Sequence, residues 1–378
     1  MTASGFVIGV DASRNRSGGA VAHIRGIILG SEPREVGIHK VHLWSYNSLL
    51  EEIPDRPWLE KHDVPETKAG LPKQLWWQYA ELPRLLDELR CNVVFNTDAG
   101  SVCPTRRSVV LSQDMLSFEP GEMQRYGLSK ARIRLEVLKG VQARNLKRAH
   151  LAIYLTEYAR ETIESQIGKT TRSVVIPHGI ADKFRAVALN RLEWSNQRPV
   201  QCLYVSNAAP YKHQWHVVEA IAALRHQGYP ITLTLVGGGS GPAQERLNQA
   251  IAHCDPERGF VTQKKFVPND EIPSYLAESD LFIFASSCEN LPITLLEAMA
   301  SGISICSSNR GPMPEVLGEG GCYFDPESPA SITKSVQSMI DDTELRQSST
   351  ERSVIRSKAF TWERCSSETW KALASACI

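Results

Sequence analysis

Short apolar segments and longer helical segments alternate along this chain in two successive series. The strand-like segments of the first series are FVIGVD, VHLWSY (41–46), CNVVFNT (91–97), SVVLSQD (108–114), the start of LAIYLTEYARETIESQ (151–166) and SVVIPHGI (173–180). Those of the second series are QCLYVSN, ITLTLVGGG, LFIFASS and SICSS. Such runs are typical of parallel strands that are buried on both faces. We therefore predict an α/β protein with doubly wound, Rossmann-like domains, whose ligands bind at the carboxyl ends of the strands.

A polar, irregular segment at residues 181–199 separates the two series. Its composition predicts an interdomain linker. At 378 residues the chain is also longer than one hydrophobic core usually supports. We therefore predict an N-terminal domain over residues 1–185 and a C-terminal domain over residues 200–361.

The composition excludes several classes of protein. Lys plus Arg equals Asp plus Glu at 42 each, so no overall positive field indicates a nucleic-acid partner. The nine cysteines are scattered and form no CxxC pair, which favours free thiols in a reducing compartment over a zinc site. The sequence shows neither a signal-peptide pattern nor a run of eighteen apolar residues. We expect a cytoplasmic protein.

The segment FASSCENLPITLLEAMASG carries the most informative pattern. A buried strand ends in a polar loop with Glu289 and Asn290, and Pro292 is suited to the first turn of the helix that follows. The amides at the start of such a helix can bind phosphate. Glu297 lies about two turns after Glu289, so the two carboxylates could contact different parts of one long ligand. An ordinary capped helix with a solvated acid is the alternative.

The residues ENLPITLLEAMASG resemble the carboxylate motif of the GT-B glycosyltransferases of the retaining family four. The resemblance implies two Rossmann-like domains that face each other across a cleft, with a nucleotide sugar bound by the C-terminal one. It implies that Glu289 lies against the donor sugar and that Glu297 binds the ribose. Asn290 and Leu291 would add backbone donors for the phosphates.

The resemblance extends to other segments of the C-terminal half. LYVSNAAPYKHQWHVVEAIAAL resembles the segment with the family's phosphate-binding lysine, here Lys212, although a surface lysine before a helix is the alternative. Many members have Gly-Arg where this chain has Ser206 and Asn207, which leaves Lys212 without an arginine partner. TLTLVGGGSGPAQERL resembles the turn beneath the nucleotide, and KKFVPNDEIP resembles the segment that contacts the base. The donor-site residues implied there are Gly237, Phe266 and Val267.

In the N-terminal half, Arg16, Ser17, Gly18 and Gly19 resemble the family's glycine-rich loop that faces the donor; a tight turn is the alternative. In SVVLSQDMLSFEP the predicted strand ends in the polar pair Gln113 and Asp114, and many members have a histidine base near that site. A histidine base cannot be assigned here, and Asp114 is expected to bind hydroxyls of the donor or the acceptor. FTWERCSSETW resembles the closing helix, so residues 362–378 are expected to join the N-terminal domain.

Residues 129–148 are strongly basic and helix-like. The cations, set against Glu136 alone, are Lys130, Arg132, Arg134, Lys139, Arg144, Lys147 and Arg148. This helix could contact anionic lipid at the cytoplasmic face of the inner membrane, or it could simply present a solvated face. We expect Trp76 and Trp77 to pack in the core rather than to stack on a sugar.

The resemblance implies transfer of a hexose, with retention, from a nucleoside diphosphate sugar to a glycan or lipid-linked saccharide. It implies no cofactor beyond this co-substrate, and no Asp-x-Asp pair is placed to bind a metal. SQDMLSFEP and VSNAAPYK resemble segments of bacterial O-antigen mannosyltransferases, which favours a GDP-sugar over a UDP-sugar. Two alternatives stay open: a non-catalytic GT-B binding protein, and a nicotinamide oxidoreductase, which Pro242 disfavours because it interrupts the glycine fingerprint.

Overall fold

The computed structural model describes residues 5–16, 18–105, 107–188, 194–195 and 197–378. The chain divides into two compact units, Met1–Gly179 with Phe360–Ile378, and Ile180–Ala359. These bounds place residues 180–185 in the second unit, whereas the sequence analysis assigned them to the first domain. The reason is a short helix, Asp182–Val187, that packs within the second unit where a linker was expected.

The first unit is a parallel sheet with helices. Its strands are β1 (Phe6–Asp11), β2 (Ile38–Ser45), β3 (Leu59–Asp63), β4 (Val93–Asn96), β5 (Ser108–Leu111), β6 (Leu151–Tyr154) and β7 (Ser173–Val175). Its helices are α1 (Gly18–Gly30), α2 (Asn47–Glu52), α3 (Leu71–Trp76), α4 (Leu82–Glu88), α5 (Lys130–Arg148) and α6 (Glu157–Ile167). The strand order is β3-β2-β1-β4-β5-β6-β7, so the direction of winding reverses between β1 and β4.

The second unit is also a parallel sheet with helices. Its helices are α7 (Asp182–Val187), α8 (Gln214–His226), α9 (Pro242–Cys254), α10 (Ile272–Glu278), α11 (Ile293–Ser301), α12 (Met313–Leu317), α13 (Pro329–Asp341) and α14 (Thr343–Ser357). Its strands are β8 (Val200–Val205), β9 (Ile231–Val236), β10 (Val261–Lys264), β11 (Leu281–Phe284), β12 (Ser304–Ser308) and β13 (Cys322–Phe324). The order is β10-β9-β8-β11-β12-β13, so the winding reverses between β8 and β11.

The C-terminal helix α15 (Trp362–Cys377) belongs to the first unit and packs on α1. Two glycines of α1 permit this packing. A Cβ atom on Gly26 would lie 2.0 Å from Cε3 of Trp362, and one on Gly30 would lie 2.4 Å from the carbonyl oxygen of Trp362. The close helix–helix contact therefore depends on residues without side chains at these two positions.

The segment at residues 71–88 is helical, as predicted, but a π-helical turn at Trp77–Glu81 interrupts it. Trp77 is buried in a cluster with Trp44, whereas 57% of Trp76 is exposed. The prediction that both tryptophans pack in the core is therefore wrong for Trp76. Neighbouring residues of a helix point about 100° apart, so two adjacent large side chains rarely share one apolar face.

Helix α5 begins one residue after its predicted start, because the Ser129 side chain accepts a hydrogen bond from the amide of Arg132 and caps the helix. It is long, but it is rich in charge. None of the helices within the described ranges is both long enough and apolar enough to cross a membrane.

Candidate functional site

The loops that follow β8 and β11 meet at the carboxyl edge of the second sheet, where the winding reverses. In open α/β sheets, the crevice at such a reversal is the usual ligand site. The first loop carries Lys212 and the second carries Glu289. The topology alone therefore brings two of the residues singled out in the sequence to the same edge.

Lys212 ends a short 3-10 turn, Pro210–Lys212, directly before α8. The hydroxyl of Tyr204, on β8, donates a hydrogen bond of 2.6 Å to the carbonyl oxygen of Lys212. The next residue, His213, adopts a left-handed conformation with φ of 48° and is fully buried. These contacts fix the backbone, so the Lys212 side chain starts from a rigid base.

The ammonium of Lys212 forms an ion pair with the Glu289 carboxylate. Only 11% of the Lys212 side chain and 16% of the Glu289 side chain are exposed. The ammonium also lies 5.1 Å from the ring centre of Tyr211 and 5.7 Å from that of Phe284. The two charges therefore neutralise each other in a largely desolvated site, where Coulomb interactions are stronger than in water.

Two further hydrogen bonds join the same loops. The amide of Ser287 donates to the carbonyl oxygen of Tyr211 over 2.8 Å, and Nε2 of His213 lies 2.9 Å from Oγ of Ser287. The geometry of the Lys212–Glu289 pair is thus set by backbone and side-chain contacts around it. His213 and Ser287 were not singled out in the sequence, because residues 74 positions apart give no local pattern.

Helix α11 begins beside this pair. Pro292 is its N-cap and not a residue of its first turn as predicted, while Asn290 and Leu291 are buried in the loop before it. The first amides of a helix lack partners within the helix, so the positive end of α11 can receive an anion. After β12, Gly311 has φ of 55°, and a Cβ atom built on it would lie 3.9 Å from the amide nitrogen of Glu289.

Glu297 lies on α11 and is only 7% exposed. Burial raises the pKa of its carboxyl to about 7, although a hydrogen bond with Asn269 and the nearby Lys183 act in the opposite direction. Lys183 itself, on α7, contacts Oδ1 of Asn269 at 2.5 Å and Oδ1 of Asp270 at 2.7 Å. Glu297 thus belongs to a polar cluster with Asn269 and Lys183, and this cluster is different from the Lys212–Glu289 pair.

The turn at Gly237, after β9, packs against the start of the loop after β8. Gly237 has φ of 110°, and a Cβ atom there would lie 2.2 Å from the carbonyl oxygen of Ser206. The glycine is therefore required by the fold, whatever its part in binding. Asn207 is exposed, and the side chain of Phe266 is 83% exposed while Val267 is half-buried.

The expected site residues of the first unit are Gly18, Gly19 and Asp114. Gly18 is exposed with φ of 59° and begins α1, followed by Gly19, while Ser17 lies outside the described residues. Asp114 follows β5 and accepts a hydrogen bond of 2.9 Å from the amide of Leu116, and burial raises its pKa. Its carboxylate thus helps to form its own loop.

The sequence analysis missed Asp11, which lies at the carboxyl end of β1, where the first sheet reverses its winding. Its buried carboxylate accepts hydrogen bonds from the hydroxyl of Ser13 at 2.6 Å and from the amide nitrogen of Gln78 at 2.7 Å. Burial raises the pKa of Asp11, and these hydrogen bonds act against that rise. An acidic residue at the end of a buried strand, as in FVIGVD, was the sequence signal that could have identified it.

Comparison with known proteins gives a family match within the second unit. Residues 192–354 match the family model described as glycosyl transferases group 1. O-antigen chain mannosyltransferase B of Escherichia coli is 26% identical over 200 residues, which are 52% of this chain and 50% of that protein. The putative colanic acid biosynthesis glycosyltransferase WcaL of Escherichia coli strain K12 is 24% identical over 284 residues, which are 68% of this chain and 67% of that protein. The match to the first of these relatives thus spans about half of its length.

The solved structure of Anabaena Alr3699/HepE in complex with UDP matches this fold with a TM-score of 0.71. The match covers 98% of this chain and 100% of that chain at 18% sequence identity, so it is a likeness of fold. Residues 192–354 of this chain therefore match the glycosyl transferases group 1 family, and the chain has the two-domain α/β fold of the GT-B glycosyltransferases.

Proposed function

We propose that the protein is a glycosyltransferase that moves a hexose from a nucleoside diphosphate sugar to a hydroxyl of a glycan or lipid-linked saccharide, in bacterial cell-surface polysaccharide biosynthesis. The observation that carries the proposal is the Lys212–Glu289 pair at the reversal point of the second sheet, beside the start of α11. A nearly buried cation next to a helix N-terminus suits a diphosphate.

In the proposed reaction, a bond forms between the anomeric carbon and the acceptor hydroxyl oxygen, and the hydroxyl proton passes to the leaving diphosphate. The bond between the same carbon and the diphosphate oxygen breaks, and negative charge develops on the leaving diphosphate. The ammonium of Lys212 and the first amides of α11 stabilise this charge. The backbone around Lys212 is held by the contacts described above, and its ammonium exchanges the Glu289 carboxylate for the diphosphate when the donor binds. This step requires no bound metal ion.

Glu289 is proposed to contact the donor sugar, and Glu297 to accept hydrogen bonds from the ribose hydroxyls. These two roles, and retention at the anomeric carbon, follow from the family resemblance. A covalent glycosyl-enzyme is not part of the proposal, because no second carboxylate is assigned as a nucleophile. Asp114 is proposed to bind hydroxyls of the donor or the acceptor, and Gly18 and Gly19 are proposed to bind the donor.

For the donor we propose mannose from a GDP-sugar, with a UDP-hexose as the alternative. The name of the Escherichia coli relative, O-antigen chain mannosyltransferase B, supports the first choice. The Anabaena structure with UDP supports the second. Phe266 is exposed in the segment after β10 and is proposed, with Val267, to contact the base.

We further propose that the protein is cytoplasmic and contacts anionic membrane through residues 129–148. On α5, Ile133 is 67% exposed and Val137 is 64% exposed, and both lie among exposed cations such as Lys130, Arg134 and Arg144. Glu136 is paired with Arg132 over 3.8 Å. Basic and apolar groups on one face of a helix suit the interface of an anionic bilayer.

The experiment that tests the proposal is release of nucleoside diphosphate from GDP-mannose and from UDP-glucose, measured with a panel of saccharide acceptors in EDTA. We expect one donor to be consumed, and Lys212→Ala to lower turnover about 10²- to 10³-fold. Lys334→Ala is the matched control, because Lys334 is an exposed lysine on α13 of the same unit. Lys212→Ala with turnover within a few-fold of the unaltered protein would contradict the proposal.

A further inference from the structure

Two histidines and a glutamate meet on one face of the first sheet, at its edge. In the parallel pair β2 and β3, His42 is opposite Glu60 and Trp44 is opposite His62. Side chains along a strand alternate between the two faces, and paired residues of parallel strands share a face. His42, Trp44, Glu60 and His62 therefore all project from the same side of the sheet.

The potential ligand atoms of this cluster are close together. Nδ1 of His42 lies 3.0 Å from Nε2 of His62. Oxygen atoms of Glu60 lie 3.8 Å from Nδ1 of His42 and 3.9 Å from Nε2 of His62. Zinc–ligand bonds of about 2.0–2.1 Å at tetrahedral angles place neighbouring ligand atoms about 3.3 Å apart. The three side chains therefore need only small shifts to form one face of such a tetrahedron.

The surroundings hold the two imidazole rings in place. His42 is buried, and the ring of Trp44 stacks on that of His62 with 5.0 Å between ring centres and an angle of 18°. Glu60 and His62 are partly exposed, so the cluster can be reached from solvent. Rigid strands and packed rings keep the entropy lost on binding an ion small.

Glu60 also has a second partner, since Nζ of Lys40 lies 2.9 Å from its Oε2. The Lys40 side chain is 34% exposed, so it can swing into water when an ion replaces its ammonium as the partner of the carboxylate. The alternative to a metal site is a cluster held by a hydrogen bond between the two histidines and by the Lys40–Glu60 ion pair, which would give the same distances. Metal binding distinguishes the two interpretations.

We propose that His42, His62 and Glu60 bind a divalent first-row transition metal ion, with water as the remaining ligand. Two imidazoles and one carboxylate are a donor set that Zn²⁺ accepts. The ion would link β3, the edge strand, to β2 and so stabilise the first unit. The site is distinct from Lys212 and Glu289, so it goes beyond the proposed transferase activity. It also differs from the sequence analysis, which expected no metal site.

The test is a calorimetric titration of the metal-stripped, tag-free full chain with Zn²⁺, with Mg²⁺ in a parallel titration. We expect one Zn²⁺ per chain and no Mg²⁺, and binding at least tenfold weaker in His62→Ala. His39→Ala is the matched control, because His39 is an exposed histidine of the same strand outside the cluster. Far-ultraviolet circular dichroism checks that each variant folds. Absence of stoichiometric Zn²⁺ binding, or equal affinity in His62→Ala, would overturn the proposal.

Two further measurements exclude binding by the nine thiols and cover a variant that fails to fold. The absorption spectrum of bound Co²⁺ should lack the charge-transfer band of a thiolate ligand, and its presence would overturn the assignment. Lys40→Met should bind Zn²⁺ at least threefold more tightly, because it removes the ammonium that competes for Glu60. Equal or weaker binding by Lys40→Met would contradict the proposed site.

Discussion

Replacing Glu289 by Gln should separate nucleotide binding from turnover. In the ligand-free protein Glu289 pairs with Lys212, so a diphosphate that binds Lys212 must displace a carboxylate. Gln keeps the shape of the side chain and can still accept a hydrogen bond from the ammonium, but it carries no charge. We therefore expect Glu289→Gln to bind the nucleoside diphosphate more tightly while it transfers the sugar more slowly.

The size of the effect follows from the burial of the pair. Two unit charges 4 Å apart attract by about 4 kcal/mol at an effective dielectric constant of 20. The desolvation of both groups and the hydrogen bond that Gln retains offset most of this, which leaves roughly 1 kcal/mol, or about a fivefold gain in nucleotide affinity. Loss of a charged contact to the reacting sugar should lower turnover about 10²- to 10³-fold.

The assay is isothermal titration with GDP and with UDP, together with the rate of diphosphate release from the donor that is used. Glu278→Gln is the matched control, because Glu278 is an exposed glutamate on α10 of the same unit. Neither quantity should change in the control. Equal or weaker nucleotide binding in Glu289→Gln would refute the competition between Glu289 and the diphosphate, and unchanged turnover would refute its role at the sugar.

Three further predictions concern the pH dependence, the membrane and the fold. The pKa of Glu297 is about 7 in the folded protein and 4.5 ordinarily, so protonation of this carboxyl favours the folded state at low pH. The free energy of unfolding should therefore fall by about 3 kcal/mol between pH 4.5 and 7. Urea unfolding of Glu297→Gln should not show this fall. The double variant Ile133→Ser, Val137→Ser should sediment less with phosphatidylglycerol vesicles than the unaltered protein does. Equal sedimentation would exclude this face of α5 as the membrane contact. Gly237→Ala should destabilise the protein more than Gly228→Ala, because both glycines have positive φ but only the first Cβ would clash; equal losses would contradict the packing argument.

The arrangement of strands and helices could be predicted because the pattern is local. Runs such as LFIFASS are short and apolar, and the helices after them begin at recognisable loops. Three edge strands were missed: β3 (LEKHD) and β10 (VTQK) are polar, as edge strands often are, and β13 (CYF) has only three residues. Helix α7 was taken for a linker because its six residues are too few to show a helical period.

The sequence singled out individual candidate residues, but it could not predict their contacts. The resemblance singled out Lys212 and Glu289 separately, whereas the ion pair between them depends on β8 and β11 being neighbours in the sheet. The role of Gly237 against Ser206 likewise depends on how two loops pack. The cluster of His42, Glu60 and His62 could not be predicted for the same reason, because it forms only through the pairing of β3 with β2 in this register.

The measurement that tests the central claim most directly is thermal unfolding in EDTA with GDP, UDP, ADP or NAD, for the unaltered protein and for Lys212→Ala. A ligand at a hundredfold its dissociation constant stabilises a protein by about 2.7 kcal/mol, which raises the unfolding midpoint by a few degrees. We predict that GDP or UDP produces this shift and that Lys212→Ala abolishes it. A shift that persists in Lys212→Ala, a shift with NAD alone, or no shift with any nucleoside diphosphate would contradict a donor site at the reversal point of the second sheet.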